Sequence, residues 1–362
     1  MHLDRSHRLA TFQTHLQPHQ LALIATPTHI HYLTGFGFLV PEEREAFLLI
    51  SKTSATLAYP HFSPLPPDLV YEVVPGISPA SLGKHVQKIL AAQSELTEVL
   101  VDVQRLYTEE YLEITHIGSL TVTPMPVQWL TEQRAVKDSY EINCIRRASD
   151  IAAQAFAELL PQIKVGVTER ELQHQLDELM KKHGSLQPAF PTIVAFGDHA
   201  ALPHHQPSDT ALQDNTGILI DFGATYEGYR SDMTRSWWFG TTPTPEFSEL
   251  STLVQQAYDA VITLLKQRLL AGQEVRAKDI DKAARSIIDE AGFAREFIHT
   301  TGHGVGLDIH EFPSLHAHND EVIKPGMVIT VEPGIYLPEK CGFRYENTVL
   351  LTKTGVEELT LK

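Results

Sequence analysis

The sequence predicts an α+β protein in two parts: a small α/β domain, then a larger domain built from two related halves. Three observations lead there. The first ~125 residues alternate strand-like apolar runs with helical ones. Beyond residue 138, one order of two helices, a histidine-bearing loop and an acid-bearing hairpin occurs twice. At 362 residues the chain is also long for a single core.

In the first part LALIATP (21–27), AFLLIS (46–51) and VLVDV (99–103) read as strands. The stretch PMPVQWLT (124–131) carries the boundary, which divides the chain into 1–127 and 128–362. Asp138 then caps a helix, with Glu141 three residues on as its capping box and Ile142, Ile145, Ile151, Ala155 and Leu159 as its apolar positions. Thr168 and Glu171 open a second helix, Leu172, Leu176 and Leu179 form its stripe, and Gly184 stops it. The loop ALPHH (201–205) and the hairpin-like ILIDFGATYEGYRSDMTRSWWF (218–239) complete the first round. The second has helices near 245–270 and 277–291, the loop TTGHGVGLDIHEFP (300–313) and the hairpin-like VITVEPGIYLPEKCGFRYENTVLL (328–351).

Composition narrows the function. Hydrophobic residues are 43% and charged ones 20%, which suits a globular protein rather than a disordered one. A formal charge of −16 argues against nucleic acid or an anionic membrane as main partner, whereas acidic residues suit cations. Two cysteines, Cys144 and Cys341, give neither a disulfide framework nor a zinc knuckle. No run approaches 18 apolar residues and MHLDRSHRLATFQTHL lacks an apolar segment, so a cytoplasmic protein is expected. Among 19 histidines, His2, His7, His15, His19, His61 and His85 have no suggestive context and read as solvated or structural.

Chemistry concentrates in the second part. Gly302, Gly304 and Gly306 would each weaken a helix by roughly 1 kcal/mol, so His303 and His310 belong to a loop or irregular strand where one could hold a group and the other point at it. Asp221 ends the apolar run Ile218–Ile220, where an uncompensated acid is costly. A turn centred on Tyr226 and Glu227 sets Asp221 opposite Asp232; one centred on Glu227 and Gly228 sets it opposite Thr234 with Asp232 diagonal. Glu332 ends the second apolar strand and faces Glu346 if the turn centres on Glu339. Taken singly, a strand-end Asp is more often a turn residue, and Glu346 beside Arg344 could be a surface pair. Two acid-bearing hairpins in matching places, with a histidine between them, argue instead for two divalent ions balancing four carboxylates, with His303 supplying a nitrogen.

The set IDFG (220–223), SDMTR (231–235), TGHGVGLDIHE (301–311), VEPGIY (331–336) and FRYEN (343–347) resembles the Xaa-Pro aminopeptidase and prolidase family of dinuclear metallopeptidases with the pita-bread fold. YLTGF (32–36) resembles a stretch of that family's amino-terminal domain. The resemblance implies Asp221, Asp232, His303, Glu332 and Glu346 as metal ligands, Asp232 and Glu346 bridging. It also implies His204 and His310 as substrate-facing catalytic residues, and His299 and Arg344 on the substrate side. One departure is Asn347, where many relatives have Asp.

Manganese is the metal the resemblance suggests, and an oxygen-rich site with one imidazole also admits cobalt or iron(II), with zinc a further option. Such ions lower the pKa of water toward neutrality. Glu332 would carry the proton to the leaving nitrogen and His310 would hydrogen-bond the developing oxyanion. The implied substrates are short peptides with proline second. The place of an arginine found in many prolidases is Ser314, which favours an aminopeptidase over a dipeptidase. A homodimer is also implied. A non-catalytic pita-bread binding protein would have lost ligands, and all five are present.

Overall fold

Continuous apolar runs in the first part of the chain fold as strands covered on both faces, and the second part alternates amphipathic helix pairs with antiparallel hairpins. A computed structural model describes residues 5–37, 45–60, 62–66, 71–75, 82–118 and 120–360. The chain forms two compact units, Met1–Arg134 and Ala135–Lys362.

The first unit contains α1 (Arg5–Thr14), β1 (Gln20–Ile24), α2 (Pro27–Thr34), β2 (Phe47–Ser51), β3 (Ala55–Tyr59), β4 (Glu72–Pro75), α3 (Leu82–Ala92), β5 (Glu98–Val101), α4 (Thr108–Thr115), β6 (Thr121–Pro124) and α5 (Gln128–Ala135). Its sheet runs β4-β3-β2-β1-β5-β6. Pairs β1–β2 and β2–β3 are antiparallel and β3–β4, β1–β5 and β5–β6 parallel, so this is the expected α/β domain. Every residue of β2 is buried, as a central strand covered on both faces requires. YLTGF is the end of α2: Gly35 adopts φ +73° and its N–H closes on the His31 carbonyl. His15 is structural, stacked on Trp129 at 5.0 Å. His2 and His61 lie outside the described residues.

The division falls at 134/135 rather than at 127/128. Helix α5 stays with the first unit because Leu130 is fully buried, Trp129 meets Phe12 edge-on at 6.1 Å, and Gln133 Nε2 donates to the Arg8 carbonyl at 2.8 Å. The prolines of PMPVQWLT mark a turn before that helix, not the end of the domain.

The second unit repeats one plan. Its first half holds α6 (Ser139–Leu159), α7 (Glu169–Lys182), β7 (Ile193–Phe196), β8 (Thr216–Phe222), β9 (Thr225–Tyr226), β10 (Tyr229–Arg230) and β11 (Met233–Phe239). Its second half holds α8 (Pro245–Leu270), α9 (Ala277–Glu290), β12 (Gly302–Gly304), β13 (Glu311–Leu315), β14 (Val328–Val331), β15 (Gly334–Leu337), β16 (Cys341–Arg344), β17 (Asn347–Thr352) and β18 (Gly355–Glu358). Both expected capping boxes form: Asp138 accepts from Glu141 N, Thr168 from Glu171 N, and each Glu returns the bond. Each half has its own core. Ile151, Leu159, Leu172 and Leu176 pack on Ile218, Ile220 and Phe222, while Leu250, Val261, Ile280 and Ile288 pack with Ile329, Val331 and Val349.

The sheets run β11-β8-β7 and β13-β12-β14-β17-β18. In each half a long antiparallel pair narrows to a two-stranded ribbon, β9–β10 at the end of β8–β11 and β15–β16 at the end of β14–β17. The two halves meet closely where β16 crosses the 3-10 turn Gly197–Ala201: a Cβ on Gly342 would lie 1.9 Å from the Ala200 carbonyl oxygen. Gly342→Ala is therefore expected to destabilise the protein by roughly 1–3 kcal/mol through overpacking against backbone, measured by denaturant unfolding of the whole chain. A change within about 0.5 kcal/mol, the usual range for a surface position, would contradict this contact.

Candidate metal centre

Hairpin register decides where the carboxylates go. Tyr226 pairs with Tyr229 around Glu227 (φ +50°) and Gly228 (φ +82°), the two positive-φ residues of a type I′ turn. Of the two registers open to the sequence, Asp221 thus takes Thr234 as its partner, and Asp232 is diagonal. The second hairpin turns at Glu339 (φ +60°), and Val331↔Asn347 and Gly334↔Arg344 belong to one unbroken register that sets Glu332 opposite Glu346, as expected. Threonines tie the hairpins together. Thr234 Oγ1 donates to Glu346 Oε2 at 2.7 Å, and Thr348 Oγ1 accepts from Asp232 N and donates to Asp232 O.

The glycine-rich loop is an irregular strand with a register shift between His303 and Gly304. Its glycines allow close approach of backbone: a Cβ on Gly302 would sit 2.2 Å from Thr330 O, and one on Gly304 2.3 Å from Phe312 O. His303 is buried. Its Nδ1–H donates to Gly304 O at 3.0 Å, which leaves Nε2 facing Glu332 Oε1 at 3.3 Å and Asp232 Oδ2 at 3.7 Å. His310 is exposed, its ring edge-on to His303 with centroids 4.4 Å apart.

Ligand atoms of Asp232, His303 and Glu346 lie within 4.8 Å of one another. Burial, and then the charge of Glu346, Asp221 and Glu332, pushes the Asp232 carboxyl far above its usual range. Glu346 is raised in the same way by burial and then by Glu332 and Asp221. Asp221 is raised by burial although Arg344 Nη2 stands 2.6 Å from its Oδ2. Burial opposes ionisation of Glu332 as well, but the hydrogen bond and charge of His303 outweigh it and hold the group at about 2. Burial, then the charge of His303, lowers His310. The Oδ1 atom of Asp221 is buried without a hydrogen-bond partner. A buried orphan oxygen, a crowd of carboxylates and one imidazole whose Nε2 faces two of them fit divalent cations of the oxygen-preferring kind.

Other expected residues fall nearby. His204 is exposed on the loop after the 3-10 turn. His299 has both ring nitrogens engaged, Nδ1 with Thr300 O at 2.7 Å and Nε2 with Tyr336 Oη at 2.8 Å. Arg344, expected on the substrate side, lies against Asp221 and Tyr336. It is 3% exposed, and its donors go to Asp221, to Thr234 Oγ1 at 2.9 Å and to Tyr336 Oη at 2.7 Å, so it neutralises the Asp221 carboxylate. Tyr336 and Thr348 are not singled out by sequence, and Thr234 only as a possible cross-strand partner of Asp221. Tyr336 ends the quoted VEPGIY, but nothing local says that its hydroxyl links Arg344 to His299. Asn347 accepts from Arg235 Nη2 and Thr360 Oγ1 and donates to Tyr258 Oη, all at 2.9 Å, so a neutral amide fills the place next to Glu346 with every polar atom matched.

Two acid-bearing hairpins around one imidazole define a metallopeptidase-type centre, and the chain belongs to metallopeptidase family M24, which matches residues 143–353. The fold is that family's pita-bread arrangement with an amino-terminal α/β domain. An uncharacterized peptidase of Staphylococcus aureus (strain MW2) is 35% identical over 347 residues, with 94% of each chain covered. Among solved structures, the Xaa-Pro dipeptidase of Bacillus anthracis matches with TM-score 0.86 and 27% identity, covering 99% of this chain and 98% of that one. The X-Pro aminopeptidase of Thermotoga maritima MSB8 matches with TM-score 0.83 and 30% identity over the same shares.

Metal binding should be steeply pH-dependent. Asp232, Glu346 and Asp221 have folded-state pKa values raised above their unfolded ones, so the metal-free fold loses stability as pH rises through that window. Bound cations need the ionised forms and reverse the effect. The rise in Tm on adding manganese is expected to be larger at pH 7.5 than at pH 5.5, read by calorimetry; an equal rise at both would remove these carboxylates from the ligand set.

Proposed function

We propose that the protein is an Xaa-Pro aminopeptidase that binds two divalent ions, manganese by preference, through Asp221, Asp232, His303, Glu332 and Glu346, with Asp232 and Glu346 shared between them. The observation that carries the reading is the convergence of four carboxylates and the Nε2 of His303 beside exposed His204 and His310. When bound, the ions supply Lewis acidity and water acidified toward neutrality.

The chain's own residues do the rest. Glu332 would accept a proton from the attacking water and return it to the leaving nitrogen of proline, its Oε1 held by Thr330 Oγ1 at 3.2 Å. His310 donates to the oxygen of the scissile carbonyl as charge develops there. His204 contacts the substrate backbone. Arg344 fixes Asp221 and Tyr336 together, and Tyr336 orients His299. A bond before proline offers no amide N–H and a fixed φ, so it needs such a dedicated site. Residue 314 favours an aminopeptidase: Ser314 pairs with His303 across β12–β13 and brings no cation for the carboxylate of a dipeptide. A cytoplasmic homodimer accompanies this reading.

One observation favours a dipeptidase instead. Arg230, whose Nη1 donates to the Ala189 carbonyl, acts electrostatically on His310 and is thus a cation close enough to the site to attract a dipeptide's carboxylate. With manganese added, Xaa-Pro-Yaa is expected to be cut after its first residue faster than Xaa-Pro, with a free amino terminus required. Faster turnover of the dipeptide assigns prolidase activity, and no turnover of either with several metals rejects both readings.

The two histidines of the glycine loop separate in a further test. His303→Ala should lower metal affinity, with activity partly restored by excess manganese. His310→Ala should keep both ions and lose about 10²- to 10⁴-fold in kcat, the range for acid, base and oxyanion groups. Metal loss in His310→Ala with retention in His303→Ala would exchange the roles.

A further inference from the structure

A second group of titratable side chains lies outside the metal centre, in the first half. Glu169, the first residue of α7, is fully buried, and its carboxylate collects five hydrogen bonds. Oε1 accepts from Phe196 N at 2.9 Å and His199 Nδ1 at 2.7 Å. Oε2 accepts from His205 Nε2 at 2.9 Å, Ser208 N at 2.9 Å and Ser208 Oγ at 2.7 Å. The rings of His199 and His205 stack at 4.3 Å and 30°, each on its own oxygen. Glu169, His199 and His205 could in principle hold a metal ion. Stacked rings aim their nitrogens side by side rather than at one point, however, and the oxygens are already saturated by donors. The arrangement is that of an anchor.

What it anchors is the segment from Phe196 to Ser208, and His204 stands on that segment next to His205. The other side of the segment is held independently. Arg344 Nη1 lies 3.5 Å from Pro203 O, and Gly342 admits the Ala200 carbonyl to a distance no Cβ would allow. A loop carrying an exposed histidine is thus fixed from both sides, by a buried carboxylate at the start of α7 and by strand β16. Fixing of this kind matters for catalysis because a misplacement of about 1 Å can cost on the order of 10²-fold in rate.

We propose that Glu169 is a positioning residue of the peptidase site, which holds His204 toward the substrate by clamping His199, His205 and Ser208. The proposal deepens the Xaa-Pro peptidase reading and, for its kinetic arm, rests on it. Glu169 touches no substrate; its effect on rate passes through His204.

The test is a double-mutant cycle on the manganese-loaded, full-length enzyme, with Xaa-Pro-Yaa and Xaa-Pro substrates. Glu169→Gln is expected to lower kcat/KM by about 10- to 100-fold, the range seen when outer partners of site residues are removed, with metal content at two ions per chain. In a His204→Ala background the same substitution should lower it by no more than about threefold, because effects through one residue are not additive. Equal losses in both backgrounds would make Glu169 a general support of the fold and overturn the proposal, as would an unchanged kcat/KM. Ser208→Ala removes one donor and keeps the charge; should Glu169→Gln fail to fold, the cycle run with Ser208→Ala decides by the same criterion. A third equivalent of metal lost on Glu169→Gln would also overturn it, since the cluster would then be a metal site.

A readout free of activity separates this proposal from the functional reading. Amide hydrogen exchange in residues 197–208 should quicken in Glu169→Gln while β8 and β11 keep their protection. If the wild type cuts no Xaa-Pro peptide, the functional reading falls and the exchange result still judges the clamp. Unchanged exchange in 197–208 overturns the clamp whatever the activity.

Discussion

Crowding of negative charge is the constraint on which the second unit depends. Asp221, Asp232, Glu332 and Glu346 are brought to one place by two hairpins, and two of them, Asp232 and Glu346, are 5% and 1% exposed. Two like charges about 4 Å apart repel by about 4 kcal/mol at an effective dielectric of 20. Several such pairs match the whole net stability of a domain, about 5–15 kcal/mol. Local chemistry relieves part of this: His303 beside Glu332, Arg344 beside Asp221, Thr234 donating to Glu346. Oδ1 of Asp221 has no donor among these groups, which leaves it open to a cation. The fold keeps the arrangement rigid with two independent cores, one per half, and with threonines that lock each hairpin to the other. A site that must hold like charges together cannot rest on loops, and here the acids sit at the ends of paired strands.

Much of this was legible because the governing signals are local. Capping boxes at Asp138 and Thr168 depend on residues three apart, and both form. The acid-bearing hairpins were legible because apolar runs ending in an acid are rare enough to stand out in pairs. Their registers were less so. The second, centred on Glu339, agreed with expectation, whereas the first left two options because Glu227-Gly228 is a weaker signal for a type I′ turn than Asn-Gly. What the sequence withheld depends on distant partners. Helix α5 joins the first unit through Phe12, His15 and Arg8, over a hundred residues away in sequence. Arg344 reads as a substrate residue from its motif, yet its guanidinium is spent on Asp221 and Tyr336, a fact of through-space packing. The buried state of Glu169 was hidden likewise, since a Glu in the first helical turn is ordinarily explained by the helix dipole.

The repeat of helices, loop and hairpin gives each half the same task by different means. In the first half a carboxylate of α7, Glu169, gathers the loop that carries His204. In the second half a carboxylate of α9, Asp281, is fully buried and takes both arms of Arg285 at 2.9 Å together with Thr301 Oγ1 at 2.9 Å. Arg285 then donates to the carbonyls of Phe297 and His299, so the stretch leading into His303 is fixed from its own second helix. The two carboxylates do not occupy equivalent helical positions: Glu169 is the first residue of its helix and Asp281 the fifth of its own. Each accepts from one hydroxyl, but the charged or titratable partners differ, two imidazoles in one case and a guanidinium in the other. An exact duplicate would have kept the same residue at the same place. What recurs is the requirement itself, that a histidine-bearing loop be tied to a rigid helix by a buried carboxylate with donors on both of its oxygens. That requirement follows from the site. A site side chain has to be held within about 0.5 Å of its working geometry, and a loop tied to a rigid helix can hold it there.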